Sequence, residues 1–393
     1  MPNTLLNVDK ITNAALVVLH QKLNFGGSIN RSYDDSFGEE GAKIGSTMRI
    51  RLPNQFTIRR GAALSLQDVQ ETNTTLAITN QSGTDTVFTS AQLKLNIFDF
   101  QQQVLEPAMA VIAANIEADA LAMLRDVYNT VNGSGSAQTL RNMLQARKVL
   151  KDNLAPAATY MARIDTQSNV DLVDSLKGLF QSSQKIKTQY EEGVIGQTGG
   201  FEFAENTLLP AFTFGARNNA YLTNAAVAQT GSSLIVDTGA NAVAQGDVFT
   251  IGGVFRVHPE TKVSTGILQQ FVVTAAYAGG AGTMSISPAI VATGAYQNVS
   301  NGAADNQAIS FLGTASATTQ QTIAYHKDAF TFATADLIKP EGVHFASRQV
   351  MDGISLRIVR QYDINNDQMP CRIDCLYGFK TIRPQLACRV LAN

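Results

Sequence analysis

One apolar stripe constrains this chain more than any other feature. Between residues 102 and 128 it carries Leu105, Met109, Ile112, Ile116, Ala120, Met123 and Val127. Steps of three or four positions are the period of one helix face. Pro107 falls in the first turn, where its missing N–H costs little. At 1.5 Å per residue such a helix is roughly 40 Å long, well past the usual three to four turns. A helix of that length serves as a spine, and its Met and Leu stripe reads as core packing, not as a cofactor box.

On the N-terminal side, residues 8–24 form a modest amphipathic pattern with Ile11, Ala15, Val18 and Leu19 on one face. Residues 25–45 are glycine-rich, polar and charged, and are expected to be an arm without core residues that becomes ordered on a partner. Residues 47–60 alternate, with Met48, Ile50, Leu52, Phe56 and Ile58 between arginines, which argues for a strand. TTLAIT at 74–79 would return antiparallel and complete a long polar hairpin over about 50–80. A further alternating run covers Thr86 to Leu95. Beyond the spine, NGSGS at 132–136 is a breaker. Helices are expected over about 138–152 and 166–180, followed by a charged, flexible stretch to about 203.

The sharpest change in composition comes next. Residues 221–320 hold six charged side chains, namely Asp237, Asp247, Arg256, Glu260, Lys262 and Asp305, roughly a third of the density elsewhere. The short runs SLIV, DVFTI, VFRVH, FVVTA and TMSIS recur there between Gly, Asn and Thr turns, which predicts a small β-barrel or sandwich. Strand-like alternation resumes after it and continues to the end. The fold class is therefore α+β, with a β-module interrupting a mixed chain.

Function classes can be excluded on chemistry. Lys plus Arg number 30 and Asp plus Glu 32, so there is no global charge signature of a sequence-reading nucleic-acid binder. Only 16% of residues are charged, against a typical ~25%, which hints at surface covered by self-association. The cysteines, Cys371, Cys375 and Cys388, are odd in number and not in a C-x-x-C pair, against a disulfide scaffold or structural zinc. No basic leader and no uncharged apolar stretch near ~20 residues is present, so a soluble protein with no membrane partner is expected. His20, His258, His326 and His344 lack a second ligand at metal spacing and read as caps or packing. Asp363-Ile364-Asn365-Asn366-Asp367 opens like a calcium loop, but Gln368 stands where glycine is needed and Asp374 where Glu is. An Asn/Asp turn between strands fits better. No phosphate loop or nucleophile elbow is present. The chain is read as not an enzyme, with no cofactor and neither catalytic nor metal-binding residues. Arg49, Arg51, Arg59 and Arg60 lack the interleaved aromatics of a nucleic-acid patch. They suit salt bridges to a neighbouring subunit, with Glu39 and Glu40 as candidate partners.

The stretches TMRIRLPNQFTIRRGA, FTSAQLKLNIFDFQQQVLEPAMAVIAANIEADAL, AYHKDAFTFATADL and GISLRIVRQYDINNDQMPCRIDCLYGFKTIRPQLACRV resemble the coat proteins of short-tailed phages of the Salmonella P22 type. The order of elements resembles the Hong Kong 97-type capsid fold. The resemblance spans essentially the whole chain and is most distinctive in the last forty residues. It departs from the family at 221–320, where only QGDVFTIGGVF fits.

The resemblance implies a division into an N-terminal helix and arm (1–45), an E-loop hairpin (46–80), and peripheral-domain strands with the spine helix (81–137). The first part of an axial domain (138–220), an inserted β-domain (221–320), and the second axial part with return strands (321–393) follow. It implies a major capsid protein forming pentamers and hexamers of an icosahedral head around double-stranded DNA held without sequence preference. Partners would be further copies of the chain and a portal at one vertex, with room for a decoration protein. The place would be the virion, assembled in the host bacterial cytoplasm. Residues 46–80 contain no lysine, so the Lys–Asn crosslink of some members of the fold cannot start there. The first helix begins within ten residues of Met1, which implies a separate scaffolding protein engaging the arm. Two other readings compete: a nanocompartment shell of the same fold, and a receptor- or carbohydrate-binding β-rich virion protein.

Overall fold

The computed structural model describes residues 23–32, 47–64, 66–69, 71–89, 106–176, 195–351 and 354–393. The first amphipathic helix, most of the arm with Glu39 and Glu40, and Leu105 lie outside them. Three α-helices are described: α1, Glu106–Leu121; α2, Leu140–Asp152; and α3, Thr166–Leu176. The fold divides into two compact units.

The first unit comprises residues up to 50, 73–121 and 330–382. Its centre is the 14-residue strand Gln368–Thr381. On one side this strand pairs with Phe330–Ala335 and Ile354–Arg360, and Phe345–Met351 adds to the latter. On the other side it pairs with Asn80–Thr89 from Gln368 to Tyr377. All of these pairings are antiparallel. Asp374 is buried between strands and takes a two-pronged grip from Arg357, at 2.9 and 2.6 Å, with Gln81 donating at 2.7 Å. The charge is thus fully paired before it is buried, the condition for tolerating it.

Helix α1 has its stripe where the periodicity places it: Met109, Ile112, Ile116 and Ala120 are buried. Its length differs from expectation. The α-helix runs for 16 residues and tightens into a 3₁₀ turn over Ala122–Asp126, so the α-helical part spans about 24 Å. Leu121, Leu124 and Val127 are all fully buried. Three residues per turn align such a triplet, whereas 3.6 would fan it apart. The segment Glu106–Asp126 is long and apolar enough to cross a membrane by composition alone, but here its large apolar side chains other than the exposed Val111 form core.

The arm is also corrected. Leu23, Phe25 and Ile29 are core residues, and Phe25 meets Phe330 edge-on with ring centroids 5.4 Å apart. Asn30 forms a parallel bridge to Thr331. Glycine-rich composition concealed the anchors Phe25 and Ile29, four positions apart, with Leu23 buried just before the arm.

The hairpin is shorter than the alternation predicts. Thr47–Arg51 pairs with Asn73–Ala77, Leu52 N–H donates to Thr72 O at 2.8 Å, and the ladder stops. The described residues between 52 and 72 are not strand. Pro53 lacks a ladder donor, and among the described residues the ribbon has two strands and no third, so period-two patterning alone does not extend it. The next strand begins at Asn80, earlier than the alternation over Thr86 to Leu95 suggests.

The second unit holds residues 51–72, 122–329 and 383–393. Its larger sheet orders Thr130–Gly133, Ala387–Ala392, Thr318–Tyr325, Tyr160–Ile164, Phe201–Glu205 and Gln197–Thr198, with Phe212–Thr213 joining Thr318–Tyr325. The smaller sheet orders Ile309–Phe311, Val248–Val257, Ser264–Val273, Gly282–Ile290, Gly231–Asp237 and Leu222–Thr223. Leu222 also bridges Ala308, and Ile309 N–H donates to Tyr221 O at 3.0 Å. The sheet therefore closes on itself as a six-stranded barrel, which leaves no open edge.

The barrel has its own core around Tyr221, Phe249, Phe271, Met284 and Phe311. DVFTI and VFRVH, two runs in the sequence, are one strand, Val248–Val257, with a register shift between Thr250 and Phe255. Gly253 sits there at φ 75°, the left-handed backbone a bulge requires.

Candidate assembly interface

The four arginines are gathered on the hairpin and its tip, and each reaches a different environment. Arg49 is exposed on the Thr47–Arg51 strand. Arg51 lies 3.6 Å from Glu71 in the same loop, with both side chains well exposed. Arg59 folds back onto its own turn, donating to Gly61 O and, at 2.8 Å, to Ala63 O. Arg60 is exposed. Arg51 thus has an acid within its own chain, a surface pair worth ~0–1 kcal/mol. Glu39 and Glu40 are not among the described residues. Met109, Ile112, Ile116 and Met123 are buried core residues.

What the arginine pattern missed is the apolar content of the same loop. Phe56, Ile58, Leu64, Leu66 and Val69 are all exposed, from 57% for Phe56 to 86% for Leu66. Five large apolar side chains within 14 positions exceed the scattered exposure normal for a monomer. Lys262 Nζ of the barrel donates to Gln55 Oε1 of this loop at 3.1 Å. The loop is polar at its arginines and apolar at Phe56 and Ile58 before Arg59 and at Leu64, Leu66 and Val69 after Arg60, as suits a surface that docks on protein.

The sequence also gave no warning of two buried charge sites. Glu117 sits on the apolar stripe of α1 and is 2% exposed. Its carboxylate accepts from Phe25 N–H and, at 2.9 Å, from Gly26 N–H, holding the turn that carries Phe25 and Ile29 into the core.

The second site lies beneath the barrel. Asp247 is wholly buried and accepts from Gly215 N–H at 3.1 Å and Ala244 N–H at 2.9 Å, with Arg217 Nε 3.6 Å away. Burial raises its carboxyl above the usual range, against the pull of Arg217 and the two backbone donors. Arg217 lies over the rings of Phe311 and Phe214 at 4.8 and 5.2 Å. Arg389, on the last strand of the larger sheet, donates to Gly246 O at 2.7 Å and lies 5.2 Å from the Phe212 ring. Burial takes its guanidinium down to about 10, opposed by Asp247.

Three more ties join barrel and sheet. The Gln270 amide pairs with the backbone of Thr130 in both directions, at 2.8 and 2.9 Å. Arg256 reaches Asp152 of α2 at 3.1 Å. Val248, Val272 and Tyr128 pack together. No one of these would be decisive, but together they weld the barrel to its base.

His20 lies outside the described residues, and the other candidates engage neighbouring backbone or side-chain groups. His258 Nδ1 accepts from Glu260 and Thr261 N–H, and His326 Nδ1 from Asp328 N–H. His344 contributes its backbone N–H, to Gln361. Asp363 organises the 363–367 turn by accepting from Asn365 N–H and the Asn366 amide. Among the described residues no three His, Cys, Asp or Glu side chains converge as metal ligands. All three cysteines are buried and unbridged.

Comparison with known proteins adds the following. No curated protein matches. Solved structures that are similar include a chain from Mycobacterium phage Che8, at 11% identity, covering 94% of this chain and 90% of that one, TM-score 0.48. A chain of the capsid of Ralstonia phage GP4 matches at 8% identity over 95% and 92%, TM-score 0.48. A virus-like particle from Pyrococcus furiosus matches at 6% identity over 97% and 98%, TM-score 0.40. The family model described as P22 coat protein, gene protein 5, matches residues 36–391. That span takes in the exposed loop, the spine helix, the barrel and both sheets. The chain belongs to the P22 coat protein family and is a structural major capsid protein of a phage.

Proposed function

We propose that copies of this chain form the pentamers and hexamers of an icosahedral head around double-stranded DNA, in the Hong Kong 97-type arrangement. The observation that carries this reading is the loop 52–72, whose five large apolar side chains stay uncovered in the single chain. In a family that builds capsids, a sister copy is the natural cover, and the loop is then the E-loop lying on its neighbour. Helix α1 with residues 81–137 corresponds to the peripheral domain, and 138–220 with 321–393 to the axial domain. The barrel within 221–320 corresponds to the inserted domain, a reading supported by its position between two strands that pair with each other, Phe212–Thr213 and Thr318–Tyr325. The arginines 49, 51, 59 and 60 flank the apolar residues and would set the register of the overlay.

A separate scaffolding protein, a portal, assembly in the host cytoplasm and the absence of catalysis belong to the same proposal. It is tested by electron microscopy of the purified protein with and without co-expressed phage proteins. Closed hollow particles whose size becomes uniform only with a second protein support it. Discrete small molecules under every condition, or uniform correctly sized shells from the coat alone, contradict the self-assembly and scaffolding parts respectively.

A further inference from the structure

Helix α2 has an unusual charge distribution for this chain. Four of its 13 residues are cations, Arg141, Arg147, Lys148 and Lys151, and Asp152 is its one acid. Met143, Ala146 and Leu150 are buried on the opposite side. At about 100° per residue, the four cations share an arc of about 120°. Lys148 and Arg256 both reach Asp152, at 2.9 and 3.1 Å. Arg141, Arg147 and Lys151 have no ion-pair partner among the described residues. The neighbouring Asp171 on α3 is already engaged by Asn393 and Gln138.

Arg147 and Lys151 flank a cavity of about 340 Å³ whose floor includes Thr159, Tyr160 and Gly200. Gly200 has φ +85°, and a Cβ there would stand 2.9 Å from Arg147 Nε. Glycine is what lets the guanidinium lie across this turn. Lys151 Nζ is held 5.3 Å from the centre of the Tyr160 ring, and Ala157 and Ala158 on the rim are too small to block approach.

We propose that this face of α2, with the cavity at Gly200, docks the phosphodiester backbone of double-stranded DNA inside the head; this rests on the reading of the shell given above. A guanidinium grips phosphate through two parallel hydrogen bonds, and a lysine adds a point charge. From Arg141 to Lys151 the helix rises about 15 Å, four to five base steps at 3.4 Å each. The groups are cations on a short convex face with no aromatic wedge, so contact is with backbone, not bases.

The experiment uses the full-length unassembled protein and a random-sequence duplex of about 30 base pairs, read by fluorescence anisotropy between 50 and 200 mM salt. Removing two phosphate contacts in R147Q/K151Q should make the salt slope shallower by about 1.8, so that over this range the unaltered protein loses about tenfold more affinity than the variant. Gly200→Ala, which leaves the charge unchanged but displaces Arg147, should reduce the slope by about 1. Lys339→Gln, on an exposed loop of the first unit, should leave it unchanged. Equal slopes for R147Q/K151Q and the unaltered protein overturn the proposal. So does a double variant that fails to assemble while its DNA slope is unchanged, since the face would then be a contact between copies. Heads that contain no nuclease-protected double-stranded DNA would instead refute the underlying reading of the shell.

Discussion

Replacing Glu117 by alanine tests how the N-terminal segment is held. Its carboxylate accepts two backbone N–H groups, from Phe25 and Gly26, at a site closed to solvent. A hydrogen bond to a charged acceptor contributes about 1.5–3 kcal/mol, and a buried donor left without its partner costs about 1–3. Alanine orphans both donors, so local opening of residues 23–30 should become easier by about 3–6 kcal/mol. At 1.4 kcal/mol per tenfold, the amides of Phe25 and Gly26 should exchange about 10² to 10⁴ times faster. Native-state hydrogen exchange measures this directly, with the amides of the Gln368–Thr381 strand as internal reference. Glu117→Gln, which keeps one carbonyl acceptor but no charge, should fall between. Unchanged exchange at Phe25 and Gly26 in the alanine variant would refute the idea that the carboxylate anchors this turn. A uniform acceleration including the reference strand would show instead that Glu117 supports the whole unit.

Other outcomes follow from the buried groups. Asp247→Asn leaves Arg217 and Arg389 buried without their countercharge and should destabilise the barrel's attachment by about 3–5 kcal/mol in urea titrations; the apolar pair D247L/R217M should recover much of the loss, and no recovery would count against charge as the cause. Burial holds His326 below the usual imidazole range, outweighing the opposing pull of Asp328, and its Nδ1 accepts the Asp328 N–H. The unfolded chain therefore binds the proton first, and stability should fall as pH drops below about 6.5 until the lower folded value is passed. His326→Gln should flatten that part of the stability profile. Burial pushes the Cys388 thiol up to about 12, so it should resist thiol reagents at pH 8 in the native protein and react only on unfolding; fast native labelling assigned to Cys388 by mass spectrometry would contradict its burial.

Periodicity revealed the elements whose neighbours lie close in sequence or whose pattern repeats. The α1 stripe, α2, α3 and the barrel strands could be read because one buried face imposes one period. The failures share a cause. The anchors Leu23, Phe25 and Ile29 follow no helix or strand period, and the carboxylate that holds the Phe25–Gly26 turn lies some ninety positions from it. The strand Val248–Val257 was split in two because Gly252–Gly253 resembles a turn, whereas here it is a bulge. Alternation over 47–60 overran the real ladder because a two-stranded ribbon has no third strand to extend it. In the loop 52–72 the alternation marks Phe56 and Ile58 as strand residues, whereas both are exposed, and Leu64, Leu66 and Val69 lie beyond the alternating run. The cluster of Arg217, Asp247 and Arg389 joins three remote segments, and nothing local marks any one of them.

The chain leaves the larger sheet at Phe212–Thr213 and returns at Thr318–Tyr325, and Thr213 and Thr318 are direct partners. In chain path, then, the barrel is a cassette: cut between those partners, it could be replaced by a tight turn or a foreign domain with the strand order of the sheet intact. In energy it is not detachable. Any splice that discards Gly246 and Gln270 strips Arg389 and the Thr130 backbone of the acceptors and donors they rely on, so a graft that keeps the sheet folded must bring its own replacements for those few atoms.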